Sequence, residues 1–273
     1  MKIRVITGAV LVAVFVPLFV VGGVALDIML ALLTAVAGVE LFLLYNNERA
    51  LPLWMGALTA SLSVLLYAGI VAFGDHAAAS SWILLMVVAL VLLAMTMLVF
   101  VESFTGSDAG RLSVAVLYPA IGFASIALLR SEGLLAIGFL FLITVSTDVF
   151  AYLIGVRYGK HRLAVKISPK KSIEGSIGGS IAAMLFALLY VLLSSMESFV
   201  SVTLTWWSTL LLALAFSVLA QIGDLAASKL KREMGIKDFS NLFPGHGGVM
   251  DRFDSALFLG VVVLFLRLVV TLL

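Results

Sequence analysis

Apolar stretches of about twenty residues recur from one end of this chain to the other, and that recurrence limits what it can fold into. Nine candidate spans lie at roughly 7–22, 25–44, 51–72, 80–101, 112–129, 133–155, 176–194, 204–226 and 254–272. A helix of about 20 apolar residues crosses about 30 Å of hydrocarbon. Inside a bilayer every backbone N–H and C=O must be satisfied by the chain itself, which leaves helices or a closed barrel. The alternating pattern of a barrel is absent. The expected fold class is therefore all-α: a polytopic transmembrane helical protein of about nine spans. Composition agrees, with 63% hydrophobic and 12% charged residues, against about 45–50% and about 25% in soluble domains.

The few charges are placed unevenly. With the N-terminus inside and an odd number of spans, 15 of the 17 Lys and Arg residues fall in cytoplasmic segments. These are Lys2, Arg4, Arg49, Arg111, the six basic residues of 157–171, and Lys229, Lys231, Arg232, Lys237 and Arg252. Arg130 and Arg267 fall on or near the other side. This is the bias of the positive-inside rule and predicts a cytoplasmic N-terminus. Met1-Lys-Ile-Arg4 is like the basic end of a signal peptide, but no small-residue cleavage site closes the first apolar stretch, so a retained first helix is expected. The chain has no cysteine, hence no disulfide or thiolate chemistry.

Residues 1–130 read as membrane scaffold with short connections, and 131–273 as the region that carries polar function. In the scaffold, Asp27 is expected at the outer interface. Glu40 lies deeper, near the inner end of its span, where an acid lines a polar cavity or makes a helix contact. Residues 45–52 read as an interfacial turn. Beyond 140 the pattern changes. Asp148 sits inside an apolar span, and two polar cytoplasmic loops follow at about 157–175 and 228–253.

Three constellations there carry chemistry. Asp251 and Asp254, three apart at the start of the last span, share a helix face. Two carboxylates on one face repel unless a cation lies between them. Mg²⁺ takes oxygen ligands, commonly one or two carboxylates plus substrate phosphates. Asp224, late in the preceding span, is placed to face the pair, so Asp224, Asp251 and Asp254 are candidate metal ligands. The structural alternative is capping by Asp251 with an ion pair to Arg252 or Lys231. Asp251→Asn is expected to stop turnover in a protein that still folds.

Pro244-Gly-His-Gly-Gly248 is a tight turn whose amides, at Gly247 and Gly248, could cradle phosphate, with His246 as a donor to phosphate or leaving group. A purely structural turn is the other reading. Lys229 and Lys231 read equally as a charge belt for anionic lipid. Arg232, Lys237 and Arg252 are closer to the acids and fit phosphate contact. The basic cluster lacks the aromatic interleaving of a nucleic-acid surface, so no nucleic-acid partner is expected. The third constellation is Ser168-Pro-Lys-Lys-Ser-Ile-Glu-Gly175. Pro169 is expected to fix a turn, Lys170 and Lys171 to meet phosphate, and Glu174 to hold a lysine or a metal-bound water. Gly175, Gly178 and Gly179 serve either the site or close helix packing. Asp148 is expected as an ion-pair partner.

Taken together, these residues resemble the phosphatidate cytidylyltransferase (CDP-diacylglycerol synthase) family. The resemblance rests on Ser228-x-x-Lys-Arg232, Lys237-Asp238, Pro244-x-His-Gly-Gly248 and Asp251-Arg-Phe-Asp254. A second block comprises Asp148-x-x-Ala-Tyr152, Gly155, Gly159-Lys160, Ser168-Pro-Lys-Lys171 and Glu174-Gly175. It covers about 145–255. It implies condensation of CTP with phosphatidic acid to CDP-diacylglycerol and pyrophosphate in phospholipid biosynthesis. It also implies Mg²⁺, admits K⁺ beside it, and points to a homodimer in the inner membrane with its site facing the cytoplasm. The catalytic residues expected on this footing are Asp251, Asp224, Arg252, Lys237 and His246. Phosphate would meet Lys170, Lys171, Arg232, Gly247, Gly248 and Ser228, supported by Asp148, Glu174 and Asp238. A CTP-dependent polyprenol kinase, which would transfer the γ-phosphoryl group to a hydroxyl, is the nearest alternative enzyme. A transporter is the leading non-enzyme alternative, although paired broken helices are not evident.

Overall fold

The computed structural model describes residues 2–46, 51–74 and 76–272. Among them are nine α-helices: α1 (Lys2–Val21), α2 (Gly23–Asn46), α3 (Trp54–Phe73), α4 (His76–Phe100), α5 (Gly106–Glu132), α6 (Leu134–Tyr158), α7 (Ile173–Ser194), α8 (Trp206–Glu233) and α9 (Met250–Leu272). Each coincides with one expected span. Eight are long and apolar enough to cross a membrane, while the apolar part of α1, Val5–Val21, is shorter. Hydropathy stops short of the true ends of α5 and α8, because both carry polar residues into their terminal turns. The loop expected at 228–253 is therefore shorter: 228–233 belong to α8 and 250–253 to α9. Residues 47–50 of the expected 45–52 turn, Arg49 included, lie outside the described residues. Asn46 closes that connection, accepting from Leu51 N at 2.8 Å and donating to Leu51 O at 3.2 Å.

Two small hairpins interrupt the helices. β1 (Arg162–Ala164) pairs antiparallel with β2 (Ser168–Ser172), Arg162 opposite Ser172 and Ala164 opposite Ser168. Pro169, expected to fix a turn, instead stands in β2. A two-stranded ribbon tolerates it, because an edge strand can spare one N–H. β3 (Ser198–Phe199) and β4 (Val202–Thr203) form the second hairpin. It precedes the stacked, exposed Trp206 and Trp207 at the start of α8.

The side chains that join helix ends follow one pattern. Arg130, near the end of α5, donates to Phe19 O at 2.5 Å and Val20 O at 2.8 Å, two carbonyls left free at the end of α1. Arg267 pairs with Glu132. The two arginines that depart from the charge bias thus each have partners at the same end of the bundle. At the other end, Glu40 of α2 meets the start of α9.

Packing between α6 and α7 is closest where side chains are smallest. A Cβ on Gly179 would stand 2.6 Å from Thr147 O, and one on Gly175 2.5 Å from Ala151 O. These glycines serve helix contact. Above them Ser172 caps α7, accepting from Gly175 N at 3.2 Å. Between α6, α7 and α8 runs a hydroxyl–amide ladder. Thr147 donates to Ser217 at 2.8 Å, Ser217 to Ser180 at 2.9 Å, and Gln221 to Ser180 at 3.1 Å. Ser176 donates to Gln221 Oε1. Bonds of this kind are worth about 0.6 kcal/mol each on average between membrane helices, so the ladder fixes register more than it supplies stability.

Gly179→Val should wedge α6 from α7, costing about 1–3 kcal/mol as overpacking does. The thermal unfolding midpoint in detergent should fall by several degrees. Gly110→Ala in α5, where nothing lies within 4 Å of the new Cβ, should leave it unchanged.

Candidate active site

The candidate site forms where α6, α7, α8 and α9 converge, and its geometry begins with Gly223. A Cβ there would stand 2.5 Å from Phe258 Cβ and 3.1 Å from Asp254 O. The bare glycine lets α8 lie directly on α9, which places Asp224 beside Asp254. Gly155, Gly175 and Gly179 do the same for α6 and α7, bringing Asp148 and the β2–α7 junction to the same place.

Asp148, Ala151, Tyr152, Arg162, Lys170, Lys171, Gln221 and Asp224 are among the residues lining a cavity of about 570 Å³. Asp148 is ten residues from the end of α6, so the cavity reaches roughly 15 Å along that helix at the standard rise. Lys171 Nζ pairs with Asp224 Oδ2. Ser228, one turn on, donates to Asp224 Oδ1 at 3.4 Å. Asp148 lies within electrostatic reach of both Asp224 and Lys171, and Asp254 within reach of Asp224, Asp148 and Lys231. Asp254 Oδ1 accepts from Ser255 N at 2.7 Å.

Asp251 is differently placed. Lys231 Nζ donates to its Oδ1 at 2.6 Å, while Phe239 N and Gly248 N donate to Oδ2 at 2.7 and 2.9 Å. Its side chain is 2% exposed. These are the contacts of the structural alternative: Asp251 orders the loop from 234 to 249 and pairs with Lys231, which also lies over the Phe239 ring at 5.1 Å. Gly247 and Gly248 are small for the same reason. A Cβ on Gly247 would stand 2.5 Å from Asp251 Oδ2, and one on Gly248 would fall on the Glu40 carboxylate. Both amide-bearing glycines are thus buried against carboxylates.

The remaining candidates are dispersed. Lys237, Asp238 and Arg252 are exposed. Arg232 donates to Ile236 O at 2.9 Å. The His246 ring lies beside α1, with Nε2 3.5 Å from where a Cβ on Gly8 would be, and its Nδ1 is buried without a partner among the described residues. Glu174 meets His161 rather than a lysine. It accepts from the ring Nδ1 at 2.6 Å and from the amides of Lys160 and His161 at 3.1 and 3.2 Å, closing the hairpin onto α7. Sequence reasoning missed Arg162, Ser176 and Gln221. The only signal for the last two was a polar residue at helical spacing on facing spans.

Among the described residues no three His, Asp or Glu side chains converge closely enough to hold a metal between them. Mg²⁺ commonly needs only one or two carboxylates, with phosphate and water completing its shell. The charges suit it. Within the cluster, Asp148, Asp224, Asp251 and Asp254 face the ammoniums of Lys171 and Lys231, a formal excess of two negative charges. Asp224 lines the cavity and is 23% exposed, and Asp254 is less closed than Asp251.

The cytidylyltransferase family model matches residues 2–270. The chain belongs to the cytidylyltransferase family. Similar proteins include the phosphatidate cytidylyltransferases of Staphylococcus haemolyticus, 33% identical over 258 residues, Staphylococcus epidermidis, 34% over 258, and Staphylococcus aureus, 35% over 264. Each alignment covers 94% of this chain and 95% of the relative.

Asp251→Asn leaves Lys231 buried without its counter-charge, a change that costs about 3–5 kcal/mol. It should therefore lower thermal stability as well as activity, which revises the expectation of a fully folded, inactive variant. In the double variant Lys231→Met/Asp251→Leu, a thermal midpoint well above that of Asp251→Asn is expected. Equal midpoints would show that the pair is not coupled.

Proposed function

We propose that this protein transfers the cytidylyl group of CTP to phosphatidic acid, forming CDP-diacylglycerol and pyrophosphate. The observation that carries this reading is the cavity containing Lys170, Lys171, Asp148 and Asp224, in a chain related along nearly its whole length to phosphatidate cytidylyltransferases. The lipid phosphate arrives ionised, so no strong base is needed. One of its oxygens attacks the α-phosphorus of CTP, the new P–O bond forms, and the bond to the β-phosphate breaks to release pyrophosphate.

The obstacle is repulsion between anions, and the residues around the cavity address it. Lys171 bridges Asp224 and the cavity. It is placed to exchange its carboxylate for a substrate phosphate. Lys170, exposed on β2, meets the triphosphate tail, and the exposed Arg252 and Lys237 would meet the departing pyrophosphate. Asp224 and Asp254, supported by Asp148, would hold Mg²⁺. That ion, when bound, supplies Lewis-acid neutralisation of the phosphates. K⁺ would sit beside it. Asp251 contributes by fixing the loop and the start of α9. His246 and Ser228, with the amides at Gly247 and Gly248, stand behind these groups rather than at the cavity lining.

Nine membrane crossings with the N-terminus in the cytoplasm complete the proposal. That orientation puts the cavity, β1–β2 and the 234–249 loop on the cytoplasmic face of the inner membrane. CTP enters from water while the acyl chains stay in lipid. Residues 131–273 form the catalytic region on a 1–130 scaffold, and the protein acts as a homodimer.

Purified protein given α-labelled CTP, phosphatidic acid and Mg²⁺ should place label in the organic phase with equimolar pyrophosphate, and chelator should stop it. No label in lipid there, with label passing from γ-labelled CTP to a polyprenol in a parallel reaction, would instead identify a kinase. Lys171→Met should lower turnover roughly 100-fold, as loss of one preorganised charge at a transferring phosphoryl group does, with the fold intact because Asp224 is part-exposed.

A further inference from the structure

We propose that Glu40, on α2 of the N-terminal half, is a positioning residue for the reaction: a built-in anion that caps α9 and holds its acidic first turn against the cavity. The inference rests on the cytidylyl-transfer reading. Glu40 is 3% exposed. Its Oε1 accepts from Ser240 Oγ at 2.6 Å and Val249 N at 2.9 Å, and its Oε2 accepts from Met250 N at 2.8 Å. All three donors lie at least 200 residues away in sequence. From α8, Lys231 meets Asp251 in the same turn, so charged side chains of two other helices hold the start of α9.

The geometry has a chemical consequence. The free N–H groups and dipole of a helix N-terminus attract anions, phosphate included. At α9 that position is filled from within by Glu40 on Val249 and Met250, and by Asp251 on Gly248. Gly248 is bare because a Cβ there would overlap the Glu40 carboxylate. Substrate phosphate is therefore directed away from the glycine turn and toward Lys170 and Lys171. The carboxylate also fixes the rotation of α9, and with it whether Asp254 faces Asp224. A mere contact between α2 and α9 would need neither the charge nor both oxygens.

The test separates positioning from bulk stability. Glu40→Gln keeps shape and one acceptor oxygen but removes the charge and the second acceptor. Glu40→Ala removes all of them and leaves room for a small carboxylate, reachable through the groove of about 370 Å³ lined by Val39, Glu40, Leu43, Ser240 and Leu242. In Glu40→Gln, kcat should fall roughly 10- to 100-fold, as loss of a supporting carboxylate does, with KM for CTP nearly unchanged. Sodium formate should restore part of the activity of Glu40→Ala. Amide exchange at Val249 and Met250 should quicken in both variants, a readout that does not depend on turnover. If Glu40→Ala does not fold, Glu40→Gln decides alone. Wild-type kcat in Glu40→Gln, a loss confined to KM for CTP, or unchanged exchange at Val249 and Met250 would each overturn the proposal. A wild-type protein that fails to transfer cytidylyl groups overturns the functional reading instead, leaving the exchange result to judge the cap.

Discussion

Every carboxylate held inside this helical bundle must find a donor or a counter-charge, because an unmatched charge there costs several kcal/mol. The arrangement of the C-terminal half follows from that requirement. Asp251 meets Lys231 and two backbone amides. Glu40 meets two amides and a hydroxyl. Asp224 meets Lys171. Satisfying these charges also ties the 234–249 loop and α2 to the start of α9, and the β1–β2 hairpin to α8.

The matches are not equal, and the inequality separates structure from chemistry. The Lys231–Asp251 pair is closed, with side chains 10% and 2% exposed. The Lys171–Asp224 pair is half open, at 28% and 23%. An exposed pair is worth little and is easily exchanged, which suits groups that must release one another when a polyphosphate arrives. Asp148 and Asp254 add negative charge without an ammonium of their own. The half-open side of the cluster is thus negative at the helices and positive at the hairpin, which suits the proposed binding of a cation together with an anion.

Much of this was legible in the chain. Span length and apolar recurrence located each helix, because hydrocarbon thickness leaves few options. The acid spacing and the family resemblance pointed to Asp224, Asp254, Lys170 and Lys171. The sequence was less informative where a residue's role depends on what faces it. Asp251 reads as a ligand from its spacing alone, which does not show its bonds to Lys231 and the Gly248 amide. Gly247 and Gly248 read as a phosphate cradle until the carboxylates behind them are placed. Glu40 suggested a polar cavity or a helix contact, but nothing in a linear chain names its partner 209 residues away. Pro169 suggested a turn because a two-stranded ribbon gives no hydropathy signal.

The proposed mechanism depends most on a divalent cation binding with nucleotide at Asp224 and Asp254. Mn²⁺ binding followed by electron paramagnetic resonance, with and without CTP, tests it without reference to turnover. Wild-type protein should bind Mn²⁺ more tightly when CTP is present. Asp224→Asn and Asp254→Asn should each lose most of that binding while retaining the wild-type thermal midpoint. Undiminished Mn²⁺ binding in both folded variants would contradict the account and move the metal away from α8 and α9.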